Sequence, residues 1–148
     1  MSKPKLISVI VTSYNWSEAL SAVLSGLDRQ TEHRFEVIIA DDGSHSESLA
    51  AIRHAMSGCQ FPVQLITQAD CGFRAAKARN QAAVEAQGDY FIFLDGDCIP
   101  RPDFIARHRT LAERGFWVPG NRILLSRTYT QKLLSDEVTL LKHSGGYW

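Results

Sequence analysis

The sequence predicts an α/β fold, a mostly parallel sheet with helices on both faces. Four short apolar runs rich in β-branched or aromatic residues lie along the chain: Leu6 to Val11, Phe35 to Ala40, Val63 to Thr67 and Tyr90 to Leu94. The segments between them have helical spacing and are long enough for crossovers. The order β-α-β-α-β-α-β therefore calls for right-handed connections and helix layers on a parallel sheet. Polar and acidic residues follow the runs, so they gather at the carboxyl edge of such a sheet.

Leu6 to Val11 and Phe35 to Ala40 are dominated by Ile and Val, the composition of strands buried on both faces. Ala19, Leu20, Val23, Leu24 and Leu27 form the stripe of the first helix, and Leu49, Ile52, Ala55 and Met56 that of the second. The third crossover, Arg74 to Ala86, is rich in Ala, Lys, Arg and Gln, good helix formers, before Gly88 stops it. Beyond Leu94, Arg101-Pro102-Asp103 marks a helix start with Phe104, Ile105, His108 and Leu111 on one side. A short strand at Phe116 to Val118 and an amphipathic helix from Thr128 to Lys142 are expected to follow.

A chain of 148 residues suits one domain, here 1–148, and there is no repeat or linker. Its 45% hydrophobic and 22% charged content excludes disorder. Lys plus Arg and Asp plus Glu both number 16, so no global field draws the chain to nucleic acid, and any anion must be held locally. Cys59, Cys71 and Cys98 are odd in number and contain no CxxC, which argues against disulfides or zinc and for a reducing cytoplasm. The first apolar run is too short for a signal h-region or a membrane span. A cytoplasmic chain is expected, and peripheral attachment at the inner face of a membrane is compatible with it.

Asp95-Gly96-Asp97 ends the run Phe91-Ile92-Phe93-Leu94 and puts two carboxylates at a buried strand tip. Desolvation and repulsion disfavour that arrangement unless a cation is present. Mg²⁺ and Mn²⁺ prefer carboxylate and phosphate oxygens, so a metal bridging Asp97 to a diphosphate would relieve both. The plain alternative is a surface Asp-Gly turn, and the apolar strand just upstream argues against it. Asp41 and Asp42 follow the second run. Asp41 reads as a contact to a base or ribose, and Asp42 equally well as such a contact or as a turn or cap before Ser46. Tyr14 suits stacking on a planar base or a half-buried place at a strand end. Arg74, Lys77 and Arg79 cluster at a helix start, suited to a diphosphate or, for the first two, to a solvated helix face. The five histidines are scattered, and metal binding by His143 or any other is the minority reading.

Four segments then stand in register: Ile7 to Asn15, Phe35 to Ser44, Arg74 to Asn80 and Gly88 to Asp97. Together they resemble family 2 glycosyltransferases of the GT-A (Rossmann-like) fold, from residue 6 to about residue 125. The resemblance implies transfer of a sugar, with inversion, from a nucleotide diphosphate donor that is usually UDP-linked. It implies that Thr12 and Tyr14 border the base, that Asp41 hydrogen-bonds it and that Arg79 lies beside the nucleotide. Asp95, next to Gly96, would face the ribose or the metal, and Asp97 would coordinate Mn²⁺ or Mg²⁺ against the departing diphosphate. Acceptors would be saccharides or lipid-linked. Pro119 to Ser126 is similar to segments of bacterial enzymes that build surface polysaccharide or lipopolysaccharide.

Such enzymes usually continue into an acceptor-binding half that supplies an acidic general base. Asp136-Glu137 comes too early and inside a predicted helix, so the base is expected beyond Trp148. The chain is then expected to be an N-terminal part, truncated on its C-terminal side, that binds donor and transfers poorly. Two other classes compete. A nucleotidyltransferase making nucleotide sugars would carry a Gly-rich basic loop where Thr12-Ser13-Tyr14-Asn15 stands. A non-catalytic nucleotide-binding or assembly module would self-associate through an exposed C-terminal surface, Thr128 to Lys142 and Gly145 to Trp148.

Overall fold

A computed structural model describes residues 3–135. In chain order the elements are β1 (Ile7–Ser13), α1 (Ser17–Asp28), β2 (Phe35–Asp41), α2 (Ser46–Met56), β3 (Val63–Thr67), α3 (Ala75–Glu85), β4 (Tyr90–Asp95), α4 (Phe104–Leu111) and α5 (Arg127–Leu134). The strands form one parallel sheet in the order β3-β2-β1-β4.

Burial follows that order. β1 and β2 are paired on both sides, and every residue of β2 is buried. The outer strands β3 and β4 are only partly covered. The face carrying Ile7, Val9 and Val11 packs on Leu20, Val23, Leu24 and Leu27 of α1, Ile52 of α2 and Ile105 of α4. On the opposite face Ile10, Ile38 and Ala40 pack on Ala78 and Ala82 of α3, whose small side chains let helix and sheet approach closely. Helices therefore lie on both faces, as the alternation requires. The α3 layer stops short of β4, leaving Phe91 and Phe93 exposed on that face.

Long-range polar contacts seat α4 and the connection that leads into it. The buried Gln30 amide donates to the carbonyls of Gly26 and Arg101, 3.1 and 2.6 Å, and its oxygen accepts from the Ile105 amide at 3.0 Å. Arg109 donates to the Arg34 carbonyl at 2.7 Å and pairs with Glu32 at 2.7 Å. Gly26 lets the β4–α4 connection lie on α1, since a Cβ there would come within 2.9 Å of Ile99 and Pro100.

The strand expected at Phe116 to Val118 does not form. The segment is irregular, and Phe116 and Trp117 are exposed. Three apolar residues ahead of Pro119 find no neighbouring strand among the described residues, and an unpaired run of that length has nothing to hold it extended. The expected Thr128 to Lys142 helix is represented by α5. The remainder, with Asp136-Glu137, His143 and Gly145 to Trp148, lies outside the described residues. No helix among the described residues is long and apolar enough to cross a membrane.

Candidate functional site

The connection from β1 runs toward β2, while β4 returns on the other side of β1, so the strand order reverses between β1 and β4. In an open α/β sheet, that reversal opens a crevice at the carboxyl ends of the strands. Register places Thr12 beside Asp95 and Ser13 beside Asp41, which brings three of the four strand ends to one edge. The loops there are stitched together. Asn15 takes the left-handed conformation, φ 49°, which its short polar side chain tolerates. Its amide donates to Ser44 Oγ at 2.8 Å, and its side-chain oxygen accepts from the His45 amide at 2.9 Å.

Asp41 is fully buried. Its Oδ2 accepts from the amides of Gly43 and Ser44, 3.1 and 2.9 Å, and from the Thr67 hydroxyl at 2.8 Å, while Oδ1 accepts from Ser44 Oγ at 2.5 Å. Four donors satisfy this carboxylate, which shapes the β2–α2 loop and has no surface to offer a base. That corrects the expectation of a direct contact from Asp41. Asp42 is buried as well and accepts from Gln68 Nε2 at 2.5 Å and the Arg74 amide at 2.7 Å, which fixes the start of α3 beneath the crevice. Tyr14 stands at the rim, 52% exposed, its hydroxyl donating to Asp70 at 3.2 Å. That bond and the charge of Asp70 raise the phenol pKa, so the ring stays neutral and free to stack.

Asp95 and Asp97 flank Gly96, and the glycine is a steric requirement. A Cβ at position 96 would lie 2.2 Å from the Thr12 carbonyl oxygen, so only glycine lets this turn press against β1. Asp95 Oδ1 pairs with Arg79 at 2.8 Å and accepts from Thr12 Oγ1 at 3.4 Å, while Oδ2 faces Arg122 at 3.8 Å. Asp97 is exposed and accepts from the Cys98 thiol at 3.5 Å. Burial, then the charge of Asp97, raise the Cys98 pKa and keep the thiol protonated. One ligand atom from each of Asp95, Asp97 and Cys98 lies within 4.8 Å of the others. Two carboxylates at that separation suit a hard divalent cation, for which the protonated thiol beside them is a poor ligand. Beside them opens a cavity of about 600 Å³, whose lining includes Asp97, Cys98, Leu94, Ile99, Phe104 and Arg122.

Thr12, Arg79, Asp95, Gly96 and Asp97 thus meet at the β1/β4 crevice, with Tyr14 at its rim and Asp41 and Asp42 beneath. Of the three cations at the start of α3, Arg79 alone reaches the acidic pair. Arg74 turns back to the Ala69 carbonyl, and Lys77 is exposed on the helix. Sequence reasoning missed Arg122, which sits 27 positions beyond Asp95, and Cys98, whose signal was its adjacency to Asp97.

Fold and crevice together define a Rossmann-like α/β domain with an acidic pair at its topological switch point. Residues 8–129 match Glycosyl transferase family 2. The chain belongs to that family. It is 32% identical over 120 residues to the undecaprenyl-phosphate 4-deoxy-4-formamido-L-arabinose transferase of Pseudomonas syringae pv. syringae (strain B728a), covering 78% of this chain and 35% of that protein. Among solved structures, a mannosyltransferase from Pyrobaculum calidifontis, in complex with GDP-Man and Mn²⁺, superposes with a TM-score of 0.67 at 24% identity, over 77% of this chain and 34% of that one. S. aureus TarS in complex with UDP-GlcNAc superposes with a TM-score of 0.59 at 24% identity, over 78% and 37%. Both share the GT-A fold. The chain spans 11% to 35% of the length of the first curated relatives it matches.

Proposed function

We propose that this chain is the donor-binding part of an inverting glycosyltransferase that takes its sugar from a nucleotide diphosphate, with UDP as the expected nucleotide. The observation that carries the reading is the acidic pair. Asp95 and Asp97 sit at the switch point with Arg79 on one oxygen of Asp95 and a cavity of about 600 Å³ beside Asp97. Mn²⁺ or Mg²⁺ held by Asp95 and Asp97 would neutralise the diphosphate as it leaves. The two solved relatives, whose complexes contain GDP-Man with Mn²⁺ and UDP-GlcNAc, support a nucleotide-sugar donor. Tyr14 and Thr12 border the base, while Asp41 and Asp42 act from below by holding the loops. The acceptor is a saccharide or lipid-linked. The undecaprenyl-phosphate transferase supports the lipid-linked case and, with it, work at the inner face of a bacterial membrane in surface polysaccharide or lipopolysaccharide synthesis. The general base is expected beyond Trp148.

Calorimetric titration of UDP into the purified chain, with and without Mn²⁺, tests the reading. Binding is expected only with metal and is expected to be lost in Asp97→Ala. Metal-independent binding that survives Asp97→Ala would contradict the role given to the acidic pair. Absence of binding by UDP, GDP and dTDP to the folded chain would remove the donor-site reading itself.

A further inference from the structure

We infer that Arg122 is a diphosphate-binding residue that guards Asp95 until the metal arrives and then moves to the diphosphate. The inference rests on the donor-site reading and adds a residue to it. Asp95 is asymmetrically engaged. Oδ1 carries the Arg79 pair at 2.8 Å and the Thr12 hydroxyl, while among the described residues Oδ2 is faced by Arg122 alone, at 3.8 Å. That separation counts as an ion pair and is too long for a hydrogen bond, so Oδ2 is the less committed oxygen of a carboxylate that has a ligand atom within 4.8 Å of Asp97 and Cys98. A cation held by Asp95 and Asp97 would displace the like-charged guanidinium, and a diphosphate on that cation would attract it.

The two arginines differ in how they are mounted. Arg79 stands on α3 next to Ala78, which is packed against the sheet, so its backbone is fixed. Arg122 lies in the irregular segment between α4 and α5, with its side chain 67% exposed. Such an exposed pair is screened and contributes little, so exchanging a carboxylate for a diphosphate costs little. Arg122 also lines the cavity that Asp97 and Cys98 border, so a short movement carries the guanidinium from the carboxylate to any group on the metal. Its planar fork suits bidentate contact with phosphate oxygens.

The inference requires opposite signs for two affinities. Removing Arg122 takes a cation away from the metal and a donor away from the diphosphate. Arg122→Ala is therefore expected to bind Mn²⁺ alone about two- to fivefold more tightly. The same variant is expected to bind pyrophosphate with Mn²⁺, and UDP with Mn²⁺, about tenfold more weakly. Arg122→Lys keeps the charge without the fork and should fall between. The exposed, irregular setting predicts an unchanged thermal unfolding midpoint. Unchanged pyrophosphate affinity, or weaker Mn²⁺ binding in Arg122→Ala, overturns the inference. Pyrophosphate keeps the two claims separable. Wild type that binds pyrophosphate·Mn²⁺ in an Arg122-dependent way but no nucleotide refutes the donor reading alone, and wild type that binds neither refutes both.

Discussion

Replacing Asp41 tests the claim that its carboxylate builds the loop. In Asp41→Ala the amides of Gly43 and Ser44 lose their acceptor inside a fully buried position, and the hydroxyls of Ser44 and Thr67 lose theirs. Each orphaned buried donor costs about 1–3 kcal/mol, and the hydroxyls can turn to other acceptors where the amides cannot. The expected loss is about 3–5 kcal/mol, a large part of the roughly 5–15 kcal/mol that holds a domain together. Asp41→Asn behaves differently. Its amide oxygen can occupy the Oδ2 position and keep the two backbone bonds, while its NH₂ can donate to Ser44 Oγ. What is lost is the charge assistance, about 1–2 kcal/mol. Urea unfolding at neutral pH, with the slope checked for constancy, measures both variants. A loss under about 1 kcal/mol for Asp41→Ala, or equal losses for the two variants, would refute the assignment of this carboxylate to the loop.

Gly96→Ala places a Cβ 2.2 Å from the Thr12 carbonyl, so the turn must leave β1. Metal-dependent UDP binding is expected to fall about tenfold or more, with a stability loss of about 1–3 kcal/mol. Calorimetry and urea unfolding read the two effects, and unchanged binding would mean the turn has room the geometry denies. At the opposite edge of the sheet, burial pushes the Glu32 carboxyl upward, but bonds from Arg34 and the Arg109 charge outweigh it and bring the pKa from 4.5 to about 2. A lowered folded pKa gives stability that is present above pH 4.5 and drains away as pH falls toward 2. Because Arg34 is exposed and its charge is screened by solvent, the shift corresponds to about 1–2 kcal/mol. Glu32→Gln should be less stable than wild type at neutral pH by that order, with the gap closing across the same acid window in urea titrations. A gap that stays constant on acidification would contradict the linkage.

Most of the fold was legible because its elements are local. β1 and β2 announce themselves through Ile and Val runs, and the α1 stripe spaces Leu20, Val23, Leu24 and Leu27 so that each meets the sheet. The acidic pair was legible for the same reason, standing at the end of an apolar strand. What escaped depends on partners far apart in the chain. Nothing near Asp41 marks Thr67 as its donor, and nothing near Asp95 marks Arg122 as its neighbour. The inward turn of Asp41 is likewise decided by which face of the loop the sheet covers, and a dipeptide of two acids does not show that. The Phe116 to Val118 strand was misread because an extended run needs a neighbour, and no pattern within the run reports whether one is there.

The unequal engagement of the sheet gives the crevice two mechanical halves. Asp41, on a strand paired on both sides, is held by four donors, whereas Asp95 ends a strand that pairs on one side only among the described residues. Amide hydrogens of β2 should exchange more slowly than those of β4, since opening the margin exposes less buried surface than opening the centre. A nucleoside would meet a wall already in place, and the metal with its diphosphate would have to order the wall it binds. If the acidic pair holds a metal as proposed, part of its intrinsic affinity would be consumed in stiffening β4, and anything that pairs with that edge would tighten metal binding without touching the ion.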